Sequence, residues 1–192
     1  MKKAFSRHET GRSMIEMIGV LAIIGVLTIG GIMGFSAAMS KYKTQKAVDD
    51  MQLMVSNLRE MLYARKVKER TDTETWYHMG LFSKDAYDTT RKRGISTFGG
   101  DIEVETVYKN GKNLVLLTYT DVPDYLCRTL AGIDFDAGDA ALVQYLKIDQ
   151  TEFSWTTQDF DKQLPVSTES ALAACKGLDN SGNVTMIWML NQ

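Results

Sequence analysis

Gly11-Arg12-Ser13-Met14-Ile15-Glu16-Met17-Ile18-Gly19-Val20-Leu21-Ala22-Ile23-Ile24-Gly25-Val26-Leu27 decides how the rest of the chain is read. An apolar run continues from Met17 to Ala38, and one carboxylate, Glu16, stands at its head. The run is long enough to cross a bilayer as a helix, which takes ~20 residues. Hydrocarbon solvates charge poorly, and an ionised carboxylate at mid-bilayer costs ~2.5–3.5 kcal/mol on insertion scales. An acid kept at such a place marks function by default.

Beyond the run the helical pattern persists but changes character. Residues 12–66 read as one long helix with no Pro inside it. From Ser40 onward the apolar positions narrow to one face: Ala47, Val48, Met51, Met54, Val55, Leu58, Met61 and Leu62 recur in steps of three and four. Lys46, Asp49, Asp50, Arg59 and Glu60 fill the other face. A helix much beyond ~25 residues is a coiled coil, a membrane span or both. The switch from all-round to one-sided hydrophobicity predicts a span over 12–40 and a half over 41–66 that packs on a soluble domain. Gly25, Gly30, Gly31 and Gly34 are its weak points, each costing ~1 kcal/mol against Ala.

The remaining residues, 67–192, read as a head domain. Residues 67–100 read as irregular, with Gly80, Gly94, Gly99 and Gly100, a basic patch at Arg91-Lys92-Arg93, and Trp76, Tyr77, Leu81 and Phe82 as anchors to a core. Residues 101–108 alternate with the strand period, Asn110-Gly111 is a hairpin turn signal, and the return strand is Asn113 to Thr120. Pro123 opens a short helix through Cys127 to Ala131, stopped by Gly132. One or two strands lie within 141–157. A second short helix runs from Thr168 to Lys176, capped by Ser167 or Thr168 and closed by Gly177. After a turn at Asp179-Asn180-Ser181-Gly182, the strand Asn183 to Leu190 carries Trp188. Long helix plus hairpins predicts an α+β head.

Composition narrows the function. The chain has 192 residues and a net charge of −2; Lys2, Lys3 and Arg7 against Glu9 give residues 1–11 a charge of +2, which leaves −4 without them. A mildly acidic product has no whole-molecule attraction for nucleic acid, which is not expected as a partner. The two cysteines, Cys127 and Cys175, pair if the head is exported and stay as reduced, buried thiols if it is cytosolic. A bridge there stabilises by ~4 kcal/mol in the chain-entropy model.

Catalysis has little support. His78 is the one histidine beyond the first eleven residues, and no nucleophile arrangement, phosphate loop or zinc spacing accompanies it. Asp134, Asp136 and Asp139 cluster, and Asp179 to Asn183 offers oxygen ligands, but neither has the calcium-loop spacing. No cofactor is expected. Asn183-Val184-Thr185 matches a glycosylation triplet but falls in a predicted strand. Arg91-Lys92-Arg93 reads as a solvated loop, with DNA or an acidic neighbouring subunit as its functional reading.

Three readings of the N-terminus compete. A secretory signal peptide has the basic start, and Ser36-Ala37-Ala38 offers a cleavage site, but its apolar core spans only ~7–15 residues and carries no acid. A plain anchor explains Gly30-Gly31-Ile32-Met33-Gly34 as a helix-packing face but not the acid beside a Gly-Arg junction. Positive-inside counting hardly orients it: Lys2, Lys3, Arg7 and Arg12 precede the run, and Lys41, Lys43 and Lys46 follow it.

The third reading is a resemblance. Gly11 followed by Arg12 through Leu27 resembles the processing site and helix start of type IV pilins and type II secretion pseudopilins. Thr97-Phe98-Gly99-Gly100, Pro123 to Leu130, and Ala171 to Cys175 followed by Asn183 to Leu190 resemble the sheet entry, Cys-bearing helix and closing strand of type IVb pilins. Arg12 departs from the pattern, standing where the family carries Phe or another apolar residue.

The resemblance implies a type IV pilin fold: α+β, with a long N-terminal helix, transmembrane then amphipathic, packed on an antiparallel β-sheet, and a disulfide-bounded C-terminal region. It implies a leader peptide over 1–11 and a transmembrane assembly helix over 12–40. The amphipathic half then covers 41–66, and the head 67–192 has a D-region between Cys127 and Cys175. A prepilin peptidase would cut between Gly11 and Arg12 and methylate Arg12, and Glu16 would serve assembly. The implied function is a structural, non-enzymatic pilus subunit supporting adhesion, aggregation, motility or DNA uptake. The alternatives are a secretion pseudopilin and a minor pilin acting as adhesin or DNA-binding tip. The implied partners are further copies in a helical filament, the bacterial inner membrane, the peptidase, the assembly platform and ATPase, and minor pilins. The precursor would sit in the inner membrane and the fibre at the cell surface, or in the periplasm for a pseudopilin.

Overall fold

The computed structural model describes residues 10–64, 71–109, 112–135, 143–155, 159, 162–176 and 182–191. The Asn110-Gly111 turn, Asp136, Asp139, Gly177 and Asp179-Asn180-Ser181 lie outside them, as do residues 1–9 of the leader. The chain divides into two compact units, Met1–Tyr42 and Lys43–Gln192.

Helix α1, Thr10–Ala64, contributes to both units and starts two residues before the predicted position. In the first unit every residue from Met14 to Tyr42 with a described side chain is exposed. The helix runs unbroken through Gly25, Gly30, Gly31 and Gly34. Thr28 is one local irregularity in side-chain bonding: its hydroxyl donates to the Ile24 carbonyl one turn back, at 2.7 Å.

The second unit is α+β. Its sheet has seven strands: β1 (Tyr87–Asp88), β2 (Arg93–Ile95), β3 (Asp101–Lys109), β4 (Lys112–Pro123), β5 (Val143–Ile148), β6 (Thr151–Ser154) and β7 (Asn183–Asn191). Their spatial order is β1-β2-β3-β4-β7-β5-β6, with every pairing antiparallel. The register sets one apolar row across five strands: Val104, Leu117, Trp188, Leu146 and Phe153 are successive partners, and all are buried. These join the α1 side chains Met51, Met54, Val55, Leu58 and Leu62 in a single hydrophobic cluster. Strand period and helix period thus meet on one core, as the two patterns require. Tyr119 on β4 is shared between them. Its hydroxyl points at the Met54 sulfur, 3.7 Å away, and its ring meets Trp188 edge-on at 5.6 Å.

Residues 67–100 correct the irregular reading. They hold helix α2 (Thr73–His78), a 3-10 turn (Lys84–Ala86), β1 and β2. These elements are too short to declare a period, and tertiary packing makes them: Trp76, Leu81, Phe82 and Tyr87 are buried, and Tyr77 stacks on Tyr87 at 4.0 Å. Asp72 caps α2 by accepting the Thr75 amide at 2.9 Å. Gly99 takes φ +98°, and a side chain at Gly100 would strike the Thr120 carbonyl oxygen at 1.9 Å. That pair of glycines therefore turns the chain into β3 against β4.

Helices α3 (Asp124–Ala131) and α4 (Thr168–Ala174) follow the predicted bounds closely. Pro123 and Ser167 are their N-caps, and Gly132 ends α3.

Candidate functional site

The predicted site residues fall in two places. Gly11 and Arg12 belong to the first turns of α1, with side chains outside the described ones. Glu16 follows on the same helix and is exposed. Around it Met14, Ile15, Met17, Ile18 and Val20 are each more than half exposed, and large apolar side chains stay exposed as far as Met39. The helix is long and apolar enough to cross a membrane, with mean hydropathy 2.3 over its best window. A water-soluble protein has no stable way to present such a surface. The surface fits coverage by bilayer hydrocarbon or by other helices, and both make a lone carboxylate costly.

The second place is the C-terminal region of the head. Cys127 on α3 and Cys175 at the end of α4 form a disulfide, with Cα atoms 5.8 Å apart. Both are buried, and the bridge closes a sequence separation of 48 residues. It ties the helix that follows β4 to the helix that precedes β7, so it staples the two sides of the β4–β7 pairing.

The basic patch is exposed, as the solvated-loop reading has it, and its cations also meet acids of the head. Arg91 and Arg93 converge on Asp101, with N–O distances of 2.6 and 3.2 Å, and Arg93 also meets Glu103 at 3.1 Å. Lys92 reaches Glu74 on α2 at 2.7 Å, a hydrogen bond that raises its pKa. Lys92 itself takes φ 56° and turns to Glu74, whereas its two neighbours share Asp101. The three cations therefore have acids within the head while their side chains stay 45–60% exposed, so each pair contributes little. Their partners were visible as Glu74, Asp101 and Glu103, but nothing local linked them to the patch.

Other candidates stay apart. Asp134 is exposed, and the described residues hold no group of three or more acidic, His or Cys side chains able to bind a metal. His78 is exposed at the end of α2 and tilts against Tyr77 at 5.4 Å. Asn183 starts β7 and pairs with Pro123, within the sheet.

Comparison with known proteins accords with this arrangement. The family described as PilS N terminal matches residues 41–191, most of the head and the amphipathic half of α1. Two curated relatives are each named major structural subunit of bundle-forming pilus, from Escherichia coli O111:H- and from Escherichia coli O127:H6 (strain E2348/69 / EPEC). Each is 24% identical over 183 residues, covering 93% of this chain and 94% of the relative. No solved structure gives a significant match.

Proposed function

This chain belongs to the PilS family of type IV pilin-related proteins, and from that premise we propose that it is the structural subunit of a pilus, a homopolymer of many copies. The observation that carries the reading is the apolar half of α1, exposed from Met14 to Met39 with Glu16 near its start. The subunit waits in the inner membrane by this half, and loss of the leader between Gly11 and Arg12 frees an α-amine there. In hydrocarbon neither that ammonium nor Glu16 is stable alone. A neighbouring copy that docks in register pairs the two and relieves both penalties together. Helix contacts then replace lipid contacts, and a heterologous contact that does not close builds an open helical fibre.

The relatives' names favour the major subunit of a surface pilus over a secretion pseudopilin. The internally paired Arg91, Lys92 and Arg93 favour a structural role over a DNA-binding tip. Adhesion and aggregation are the roles that fit a bundling fibre.

The test is mass spectrometry of sheared surface fibres with the Glu16→Gln and Gly11→Val variants in parallel. Wild-type fibres should begin at a methylated Arg12. Glu16→Gln should insert in the membrane and form no fibre, and Gly11→Val should accumulate as uncut precursor. Fibres whose subunits retain Met1, or wild-type polymerisation by Glu16→Gln, would overturn the reading.

A further inference from the structure

The head leaves a groove open beside the amphipathic half of α1. Its volume is about 760 Å³, and α1 lines it with Lys46, Asp50, Leu53 and Asn57. Phe82, Asp85, Ile95 and Phe98 line it from the segments around β1 and β2, and the buried Met54 and Tyr119 line its interior. Clefts of about 300–1,000 Å³ hold drug-sized molecules, so this one has room for two large side chains. Its apolar lining is open to water: Leu53 is 61% and Ile95 43% exposed. Its charged residues are one cation, Lys46, and two acids, Asp50 and Asp85, a surplus of one negative charge. Lys46 answers Asp50 only loosely, at 3.9 Å.

The same head presents an uncovered knob. Tyr63, near the end of α1, is 74% exposed, more than any other described Tyr, Trp or Phe. The Arg59 guanidinium lies over its ring, 5.9 Å from the centroid, and pairs with no acid among the described residues. A helix advances ~100° per residue, so Arg59 and Tyr63 point roughly a third of a turn around α1 from Lys46, Asp50, Leu53 and Asn57. Knob and groove therefore face different directions on one copy. A knob that fits a groove elsewhere on the same molecule makes a heterologous contact that does not close.

We propose that the groove receives Tyr63 and Arg59 of a second copy, the ring against Leu53, Phe82 and Phe98 and the guanidinium toward Asp50 and Asp85. Charge decides the occupant: an apolar groove with surplus acid matches an aromatic ring that carries its own cation. Tyr and Arg are the residue types that anchor interfaces, and the cation–π contact strengthens as water leaves it. The contact presupposes the pilus reading and adds to it a head-to-head joint, distinct from the one at Glu16.

Fibres sheared from cells that express the full chain with a photoreactive benzophenone amino acid at position 95 test the joint. Irradiation should give a crosslinked dimer in which residue 95 is bonded to the peptide that carries Tyr63. A dimer bonded to any other segment, or irradiated fibres without a dimer, would overturn the proposal. Charge reversal tests it without a probe. Arg59→Glu sets like charges face to face and should lower the yield of sheared fibres on the order of tenfold. Asp85→Arg in the same chain should restore the yield, which marks the loss as a contact between copies rather than a folding defect. Undiminished fibres from Arg59→Glu, or no rescue, would also overturn it. A wild-type chain that forms no fibre refutes the pilus reading itself, whereas fibres that form without the crosslink refute the joint alone.

Discussion

Thr73 completes the hydrogen bonding of Val104, 31 residues away. Its hydroxyl accepts the Val104 amide at 3.0 Å and donates to the Val104 carbonyl at 3.2 Å. Two residues earlier, the Thr71 carbonyl accepts the Thr106 amide at 2.9 Å. The segment leading into α2 thus supplies partners along the side of β3 that β2 is too short to reach. Thr73→Val keeps the shape but leaves both Val104 groups buried without partners, at a cost of about 1–3 kcal/mol. Thr73→Ser should restore most of it. Urea denaturation of the detergent-solubilised chain measures both.

Asp72 carries a pH signature. Its carboxylate accepts from the Thr75 hydroxyl at 2.6 Å and from the Thr75 amide at 2.9 Å, which lowers its pKa below the ordinary 3.8. A lowered folded-state pKa stabilises above the ordinary value and loses that contribution as pH falls through the folded one. Asp72→Ala should therefore cost about 1 kcal/mol at pH 7 as a lost helix cap. The difference from wild type should shrink through the range below 3.8, where the native carboxyl also protonates. Paired denaturation curves at neutral and acid pH give the comparison.

Reduction should loosen the head. The Cys127–Cys175 bridge closes 48 residues, worth about 4 kcal/mol by loop entropy. A Cys127→Ala/Cys175→Ala double variant should lower the denaturation midpoint accordingly. Dithiothreitol should move wild type to the same midpoint and leave the variant unchanged.

Releasing the basic turn should create an affinity that the wild type lacks. Asp101 is only 12% exposed at its side chain and holds both arginines. Asp101→Asn with Glu103→Gln leaves Arg91 and Arg93 without their acids. The variant should be retained on immobilised nucleic acid at about 0.15 M salt, where wild type passes through, and elute as salt rises.

Gly100 admits no side chain. Because the obstruction is the Thr120 carbonyl oxygen, which is backbone, Gly100→Ala must shift β3 against β4. A loss of about 2 kcal/mol or more is expected, in the range of other backbone-strain substitutions. Gly34→Ala has open space around it and should leave the head's denaturation unaltered.

Much of this was legible because it is written in short periods. Met51, Met54, Val55, Leu58 and Leu62 announce a helix face, and Ile102 to Val107 announces a strand, because neighbours three, four or two apart carry the signal. Pro123 and Gly132 bracket α3 where the sequence places its ends. Residues 67–100 were not legible: a two-residue strand and a six-residue helix have no period, and a buried Trp76 or a Tyr77–Tyr87 stack fixes them from a distance. The place of β7 was equally hidden, since strand order is set by which surfaces bury together. In the apolar half of α1 the sequence pattern is plainer than in the head. A single acid in an apolar helix needs no tertiary partner to be noticed.

The position of β7 has a temporal consequence. Residues 183–191 fill the slot between β4 and β5, both made earlier, so those two edges stay unzipped until β7 has been synthesised. Quality control then becomes automatic: a chain stalled short of residue 183 has no complete sheet to present to its neighbours.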